Sequence, residues 1–575
     1  MNTIFKKRFF MASVLLTMLV LASSCEDNLG IQVNASAPNA DKTLYEIIMQ
    51  DKDLTDFVEI LDACNIPSPK NNNEIISVAD SLFNTSRVYT VWAPVNDYLK
   101  DKKDSILERI KDGYRDEVMK TFVYSHVANF VKQAKGCFPE NGEPVLMLND
   151  KKMIFAGSYK DDEGYTFGGS RLASVNERAK NGLLHKLETL SEYNYNIWEY
   201  LGVYSKVAGQ YKVDALVDYL YSFNDTVYPD YDKIPGPIVD GVQTYLDSAP
   251  DYRNELLTKY GGVGNLNNED SLYTFYLPTN DVWDAMMAKA EKHFNYPTKE
   301  DDEDYMELVD SLKIRYARTN FIKYLTYSEK EQRFVKNPDS IMPAQAEYKR
   351  KLFAREDVEK CVVETKKMSN GTIKIINEYP YSVFDLWHDT IRLEAENTSY
   401  IDTDNSKSPY TTYYVAEKDM NKDTGGKLSG SGYIFYGEGD TNEKTNLYYY
   451  LPNVKSATYE VKLIFVPRNV QNSLMDMSKY LTAKLDFSVY AKNANGRLVT
   501  IANKKDVLVD KEHFDTVSMG TVTFPYCEYN SVKKVTEYET KIEIKGGNNA
   551  KLKKNDNNIF LDAILLIPVE DEDAK

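Results

Sequence analysis

The chain has 575 residues, 42% hydrophobic and 27% charged, the makeup of a globular protein long enough for three or four domains of roughly 100–200 residues. A net charge of −17 argues against a nucleic-acid partner, because gripping a polyphosphate takes clustered Lys and Arg. Cysteines are too sparse for a disulfide scaffold, and no C-x-x-C pair suggests zinc.

In chain order, Lys6, Lys7 and Arg8 precede a short apolar run, Phe9 to Ala22, and then Ala22-Ser23-Ser24-Cys25. The run is shorter than the roughly 20 residues of a membrane-spanning helix. The small residues before Cys25 resemble a bacterial lipobox, which predicts signal removal at 1–24 and lipidation of Cys25. An ordinary secretory signal with an incidental cysteine is the other reading. Glu26 and Asp27 resemble the export signal of surface lipoproteins in Bacteroides-like bacteria, which implies an outer-membrane anchor facing outward. Residues 25–41 read as a lipidated tether.

Three blocks then occur twice, in one order and at nearly one spacing. Val88-Tyr-Thr-Val-Trp-Ala-Pro-Val-Asn-Asp97 returns as Leu272-Tyr-Thr-Phe-Tyr-Leu-Pro-Thr-Asn-Asp281, and Asn181-Gly-Leu-Leu-His185 as Asn370-Gly-Thr-Ile-Lys374. Tyr193-x-Tyr195-x-Ile197-Trp198-Glu199 returns as Tyr379-x-Tyr381-x-Val383-Phe384-Asp385. A domain has been duplicated, with a repeat too long for a solenoid unit of roughly 20–50 residues. Within each copy, Tyr89–Trp92 reads as a strand stopped by Pro94, Asn96-Asp97 as the cap of the next helix, and Asn181-Gly182 as a tight turn, since both residues tolerate positive φ. Apolar spacing predicts helices at Leu44, Ile47, Ile48 and, as their counterpart, at Leu216, Tyr219, Leu220.

The first and second blocks resemble the opening and closing signatures of fasciclin (FAS1) domains, whose opening motif reads roughly TVFAPTNDAF. The family's Tyr-His pair is matched imperfectly by Tyr124-Ser-His126 and lacks its histidine at Tyr324-Leu325. The resemblance implies two compact mixed α/β domains, at 42–191 and 192–389, associated with adhesion. Because Leu325 and Lys374 stand where copy one has His126 and His185, a shared catalytic chemistry is not expected, and both histidines read as packed. The acidic run Glu300–Asp304 reads as a solvated loop, with calcium capture as the minor reading. Cys64 and Cys137 share a domain and could bridge; buried unpaired thiols are the expectation for all four later cysteines.

From 390 to 575 the chain turns to alternating runs, Val461-x-Leu463-x-Phe465, Leu485-x-Phe487-x-Val489 and Ile542-x-Ile544, closing with Ile559–Ile567. They predict an all-β sandwich. Its opening Glu394-Ala-Glu396 and closing Leu561-Asp562-Ala563 resemble galactose-binding-like and carbohydrate-module sandwiches, whose first and last strands pair. By that resemblance Glu394, Glu396 and Asp562 are possible ligands of a structural calcium; solvent-facing strand residues are the other reading. Tyr448-Tyr449-Tyr450 must turn at least one ring away from the core, since successive side chains alternate faces. The fold class is therefore multi-domain α+β, two tandem FAS1-like domains followed by a β-sandwich.

Catalytic signatures are missing: no HExxH, GxSxG, P-loop or GxGxxG occurs. With His scarce, no nucleophile–base pair can be nominated, and catalytic residues are expected to be none. The expected function is ligand binding or adhesion by a non-enzymatic surface lipoprotein, most simply glycan capture beside an outer-membrane nutrient transporter. A protein-binding adhesin or scaffold is the alternative, and a carboxylate-only polysaccharide hydrolase a third.

Overall fold

The computed structural model describes residues 41–67, 75–160, 164–189, 193–204, 210–227, 235–239, 242–246, 251–258, 262–298, 302–333, 335–344, 352–387, 389–406, 410–430, 432–437, 445–529, 534–546 and 555–570. Cys25, the expected signal at 1–24 and all of the expected tether but Asp41 lie outside them. Two compact units form: residues up to Tyr195 together with Asp225–Arg253, and Asn196–Asn224 together with Asn254 onward. Among the described residues no helix is long and apolar enough to cross a membrane.

In the first unit, the strand Tyr89–Pro94 is buried along its whole length. It runs parallel to Gly182–Leu187, in register from Tyr89↔Gly182 to Pro94↔Leu187. Val127–Ala128 and Ser170–Ala179 flank this pair antiparallel, and the sheet continues outward to seven strands. Helices Leu44–Gln50, Thr55–Ala63 and Val78–Phe83 cover one face, burying Leu44, Phe57, Ile60 and Phe83 against Val91 and Leu184. A second core forms around Trp92, Phe155 and Phe167. The hairpin Pro235–Val239 and Val242–Tyr245 belongs to this unit, although the sequence reading kept it in the second domain. Leu246 after it is fully buried in the first core, and Arg115 Nη2 donates to its carbonyl at 2.8 Å.

The second unit repeats the plan. Tyr273–Pro278 is parallel to Gly371–Ile376, from Tyr273↔Gly371 to Pro278↔Ile376, with Thr326–Ser328 and Val362–Met368 in the same flanking places. Both copies thus share one four-strand order, and the first and second sequence blocks are neighbouring parallel strands. The prolines end them as expected, since Pro94↔Leu187 and Pro278↔Ile376 are the last registered pairs.

The asparagines do something else than the sequence suggested. Asn96 does not cap its own helix; the caps are Val95 and, in copy two, Thr279, neither with a side-chain cap bond. Asn96 Oδ1 instead accepts from Asp56 N at 2.9 Å, and Asn280 Oδ1 from Ala215 N at 3.1 Å. Each is the second residue of a different helix whose own cap, Leu54 or Val213, has no side-chain oxygen to offer. Asn181 and Asn370 are buried clamps rather than turn residues. Their Oδ1 atoms accept from Leu44 N at 2.8 Å and Ile197 N at 2.9 Å, and their amides donate to Phe83 O and Leu266 O. Only the following glycine has positive φ, 152° at Gly182 and 148° at Gly371. A Cβ there would lie 1.9 Å from Tyr89 O or Tyr273 O, so glycine is required. These bonds also correct the helix correspondence: Leu44–Gln50 matches Ile197–Tyr204, whereas Leu216, Tyr219 and Leu220 lie on the counterpart of Thr55–Ala63.

Two further expectations change. Asp302, from the acidic run, caps the helix Glu303–Ile322 by accepting from Tyr305 N at 3.0 Å; acids suit the positive end of a helix. Glu300 and Asp301 lie outside the described residues. Cys64, Cys137, Cys361 and Cys527 are all free thiols, so Cys64 and Cys137 do not bridge, and Cys137 is exposed rather than buried.

The sandwich follows in the second unit. A six-stranded sheet contains Tyr410–Tyr414, Gly432–Tyr436, Ile559–Pro568, Ala457–Phe465 and Asp515–Phe524, with Ile391–Glu394 pairing the last strand of the chain. The facing sheet orders Asn446–Tyr450, Lys541–Gly546, Ala483–Lys492 and Leu498–Val509. The alternating residues singled out in the sequence, from Val461 to Leu566, fill the core between them. The sandwich is joined firmly to the second α/β domain. Cys527, just past Phe524, is buried in that domain's core, with Cys527 N donating to Asn295 O at 2.6 Å and Tyr296 hydroxyl to Tyr529 O at 2.6 Å.

Candidate binding face of the sandwich

The histidines are structural, as their packing shows. His185 stacks on Trp92 with centroids 5.3 Å apart, Nε2 donating to Lys132 O at 3.0 Å and Nδ1 accepting from Asn176 N at 3.2 Å. A neutral imidazole satisfies both bonds. His126 is fully buried, with Nδ1 2.6 Å from Phe122 O. Burial pushes both rings down to about 4, against the pull of their carbonyl partners. In copy two the matching Lys374 pairs with Glu359 at 2.5 Å, which also takes the Tyr276 hydroxyl at 2.8 Å.

The predicted calcium carboxylates do converge. Asp562 accepts from Ser429 N at 3.1 and 3.0 Å, and Glu394 Oε2 from the Ser429 hydroxyl at 2.5 Å. A Cβ at Gly430 would stand 2.8 Å from Glu396 Oε1 and 3.6 Å from Glu394 Oε2. Burial, with Glu394 and Glu396 adding their charge, pushes Asp562 up to about 7. Hard oxygen donors suit calcium by type. Their arrangement does not fit one: Asp562 is spent on Ser429, Glu394 Oε1 takes Arg392 Nε at 2.6 Å, and among the described residues no three His, Cys, Asp or Glu side chains are placed to hold a metal.

The tyrosine triplet leads to a different surface. Tyr449 is wholly buried and donates to Ala395 O at 3.0 Å, so Tyr448 and Tyr450 point out of the four-stranded sheet. Strand register arranges that outer face as rows. One runs Tyr450, Lys541, Tyr490, Thr500; the next runs Tyr448, Glu543, Ser488, Asn503. Three inter-strand steps make each row ~14 Å wide. At the centre, Tyr448 donates to Glu543 Oε1 and Tyr490 to Glu543 Oε2, both at 2.7 Å, with the two rings 6.4 Å apart. Lys541 lies 5.2 Å over the Tyr448 ring and pairs with Asp402 at 2.9 Å. Burial first, then the bond to Glu543, pushes Tyr448 up to about 12 and raises Tyr490. Burial works against the Asp402 charge, but Lys541 and Asn405 hold its carboxyl below the usual range.

Of this cluster the sequence singled out Tyr448 and Tyr450 alone. The signal for the rest was present: Lys541, Glu543, Tyr490 and Ser488 are the outward partners of the buried Ile542, Ile544, Phe487 and Val489.

Neither a family model nor a curated protein matches the chain. Among solved structures, the FAS1 domain pair of the insect cell adhesion molecule Fasciclin I is matched at 12% identity over 52% of this chain and 90% of its own, with a TM-score of 0.18. The CBM22-1 xylan-binding domain of Paenibacillus barcinonensis Xyn10C is matched at 11% over 32% of this chain and 97% of its own, TM-score 0.19. The catalytic domain of a GH87 alpha-1,3-glucanase is matched at 14% over 32% and 28%, TM-score 0.18. Similarity at these TM-scores decides nothing about function.

Proposed function

We propose that this protein is a non-enzymatic binder that captures a glycan on the outer face of the four-stranded sheet, held at the cell surface by a lipid on Cys25. The observation that carries this reading is the single carboxylate, Glu543, gripped by two outward tyrosines at 2.7 Å beside Lys541. A sugar presents apolar C–H faces and a rim of hydroxyls. Aromatic rings meet the first, and the Lys541 ammonium and the phenol groups meet the second, with buried Glu543 orienting the two phenols. A hydrolase is disfavoured because both Glu543 oxygens are already engaged, whereas glycoside cleavage needs one carboxyl free to move a proton and a second to attack or activate water. The lipobox-like run before Cys25 and the acidic Glu26-Asp27 support an outer-membrane, outward location, where a nutrient transporter would be the natural receiver of the glycan. A protein-binding adhesin is the competing reading.

Two measurements test it. On a glycan array followed by calorimetry, Tyr448→Ala and Tyr490→Phe are each expected to weaken binding about tenfold or more, equivalent to about 1.4 kcal/mol, without loss of fold. Binding only to protein ligands, unchanged in both variants, would favour the adhesin. Mass spectrometry of the mature N-terminus is expected to find an acylated Cys25; an unmodified one removes the anchor.

A further inference from the structure

A second feature of the sandwich lies apart from the tyrosine face. After Ala457–Phe465 the chain forms a loop, 466–482, that leaves an open surface cleft whose walls include Phe465, Arg468, Leu481, Lys511, Asp556 and Phe560. The loop is strapped down: Arg468 N donates to Lys511 O at 2.9 Å, and Lys511 Nζ donates to Met477 O at 2.7 Å and Tyr480 O at 2.8 Å. The Arg468 guanidinium is set between two rings, 4.7 Å from the Tyr480 centroid and 5.2 Å from that of Phe560. One nitrogen, Nη2, is spent on Asp556.

The spare hydrogen-bond donors of this cleft lie on Arg468 and Lys511, whose charges Asp556 and Glu512 partly balance. Among the described residues the guanidinium makes no hydrogen bond besides the one to Asp556, so most of its rigid fork of donors is available. The Lys511 ammonium has given two of its three N–H groups to carbonyls and lies 3.9 Å from Glu512 Oε1. The carboxylates are committed: Asp556 accepts from Arg468, Asn558 N and Asn558 Nδ2, and Asp510 from the amides of Glu512 and His513 and the His513 ring. Spare donors in a fixed planar fork, walled by aromatic rings, match a planar anionic acceptor.

We propose that this cleft is a second binding site, for the carboxylate of a small acid, with Arg468 as its bidentate partner and Lys511 as the supporting charge. The carboxylate belongs to a uronic acid or to a simple aliphatic acid, and the probes separate the two. Calorimetry on the full chain at fixed ionic strength would compare D-glucuronate, D-glucose and acetate. Glucuronate is expected to bind at least about tenfold more tightly than glucose. Acetate equal to glucuronate identifies recognition of the carboxylate alone; weaker acetate shows that the ring adds contacts to Tyr480 and Phe560. Arg468→Lys keeps the charge and loses the fork, and Leu481→Glu sets a repelling charge at a rim position that is already 38% exposed. Each is expected to weaken glucuronate at least about tenfold. Equal binding of glucose and glucuronate, no carboxylate-dependent heat, or wild-type binding by both variants would overturn the proposal, whatever the tyrosine face does.

Discussion

His126 and His185 are where two copies of one domain part company in chemistry. Each is neutral because burial removes the water that would solvate a charge, and each has been replaced in copy two, by Leu325 and Lys374. The consequence is a pH dependence that these two rings add to the first unit. A histidine held near 4 when folded and at about 6.5 when unfolded binds more protons in the unfolded state between those values. Stability is therefore full above about pH 6.5 and falls as pH drops towards 4. By pH 5 each ring costs on the order of 2 kcal/mol. His126→Leu, which installs the residue of copy two, should remove about half of this loss when denaturant midpoints at pH 7 and pH 5 are compared. A variant whose pH 7-to-5 loss equals the wild type's would show that His126 is not the proton acceptor. That these rings are packed was legible from the mismatch between copies. Their partners were not, because Lys132 O lies 53 residues from His185.

Helix ends carry the next level of organisation. Leu54 and Val213 are apolar caps, which leave amide donors at the start of each helix without a side-chain oxygen from their own segment. Asn96 and Asn280 supply that oxygen from the strand–helix junction, tying the end of one strand to the start of another helix. The sequence announced the Asn-Asp pair correctly and assigned it to the wrong helix, because local capping rules look only three residues ahead, whereas Asn96 reaches back 40 residues. Asn181 and Asn370 misled in the same way. The strands themselves were legible, since β-formers ending in proline leave few choices, and so were the alternating runs of the sandwich. Asn96→Ala and Asn280→Ala should each cost about 1 kcal/mol, the ordinary worth of an N-cap, read as a lowered denaturant midpoint in one unit only. An Asp97→Ala control should cost less; the reverse order would restore the local-cap reading.

At the scale of the whole molecule, sequence blocks are not folding units. The hairpin after Asn224 belongs to the first unit, so a fragment cut at 191 loses Leu246 from its core. The sandwich, for its part, completes the second α/β domain. Tyr529 meets Tyr316 at 4.8 Å and Phe294 at 5.6 Å, Lys455 lies 5.5 Å over the Tyr529 ring, and Cys527 is 2% exposed inside the neighbouring core. Composition could not reveal this, because the texture of the sequence changes near 390 while the contacts cross that point. Removing 390–575 would uncover Phe294 and Tyr316 and leave Asn295 and Tyr296 without their backbone partners, a loss of several buried contacts each worth roughly 1–3 kcal/mol. A fragment of 41–389 is therefore expected to keep the melting transition of its first unit, while the second melts well below its temperature in the full chain and binds a hydrophobic dye before it melts. If both transitions stay where the full chain has them, the joint is only an adhesive contact, and the sandwich could be moved independently of the domain that carries it.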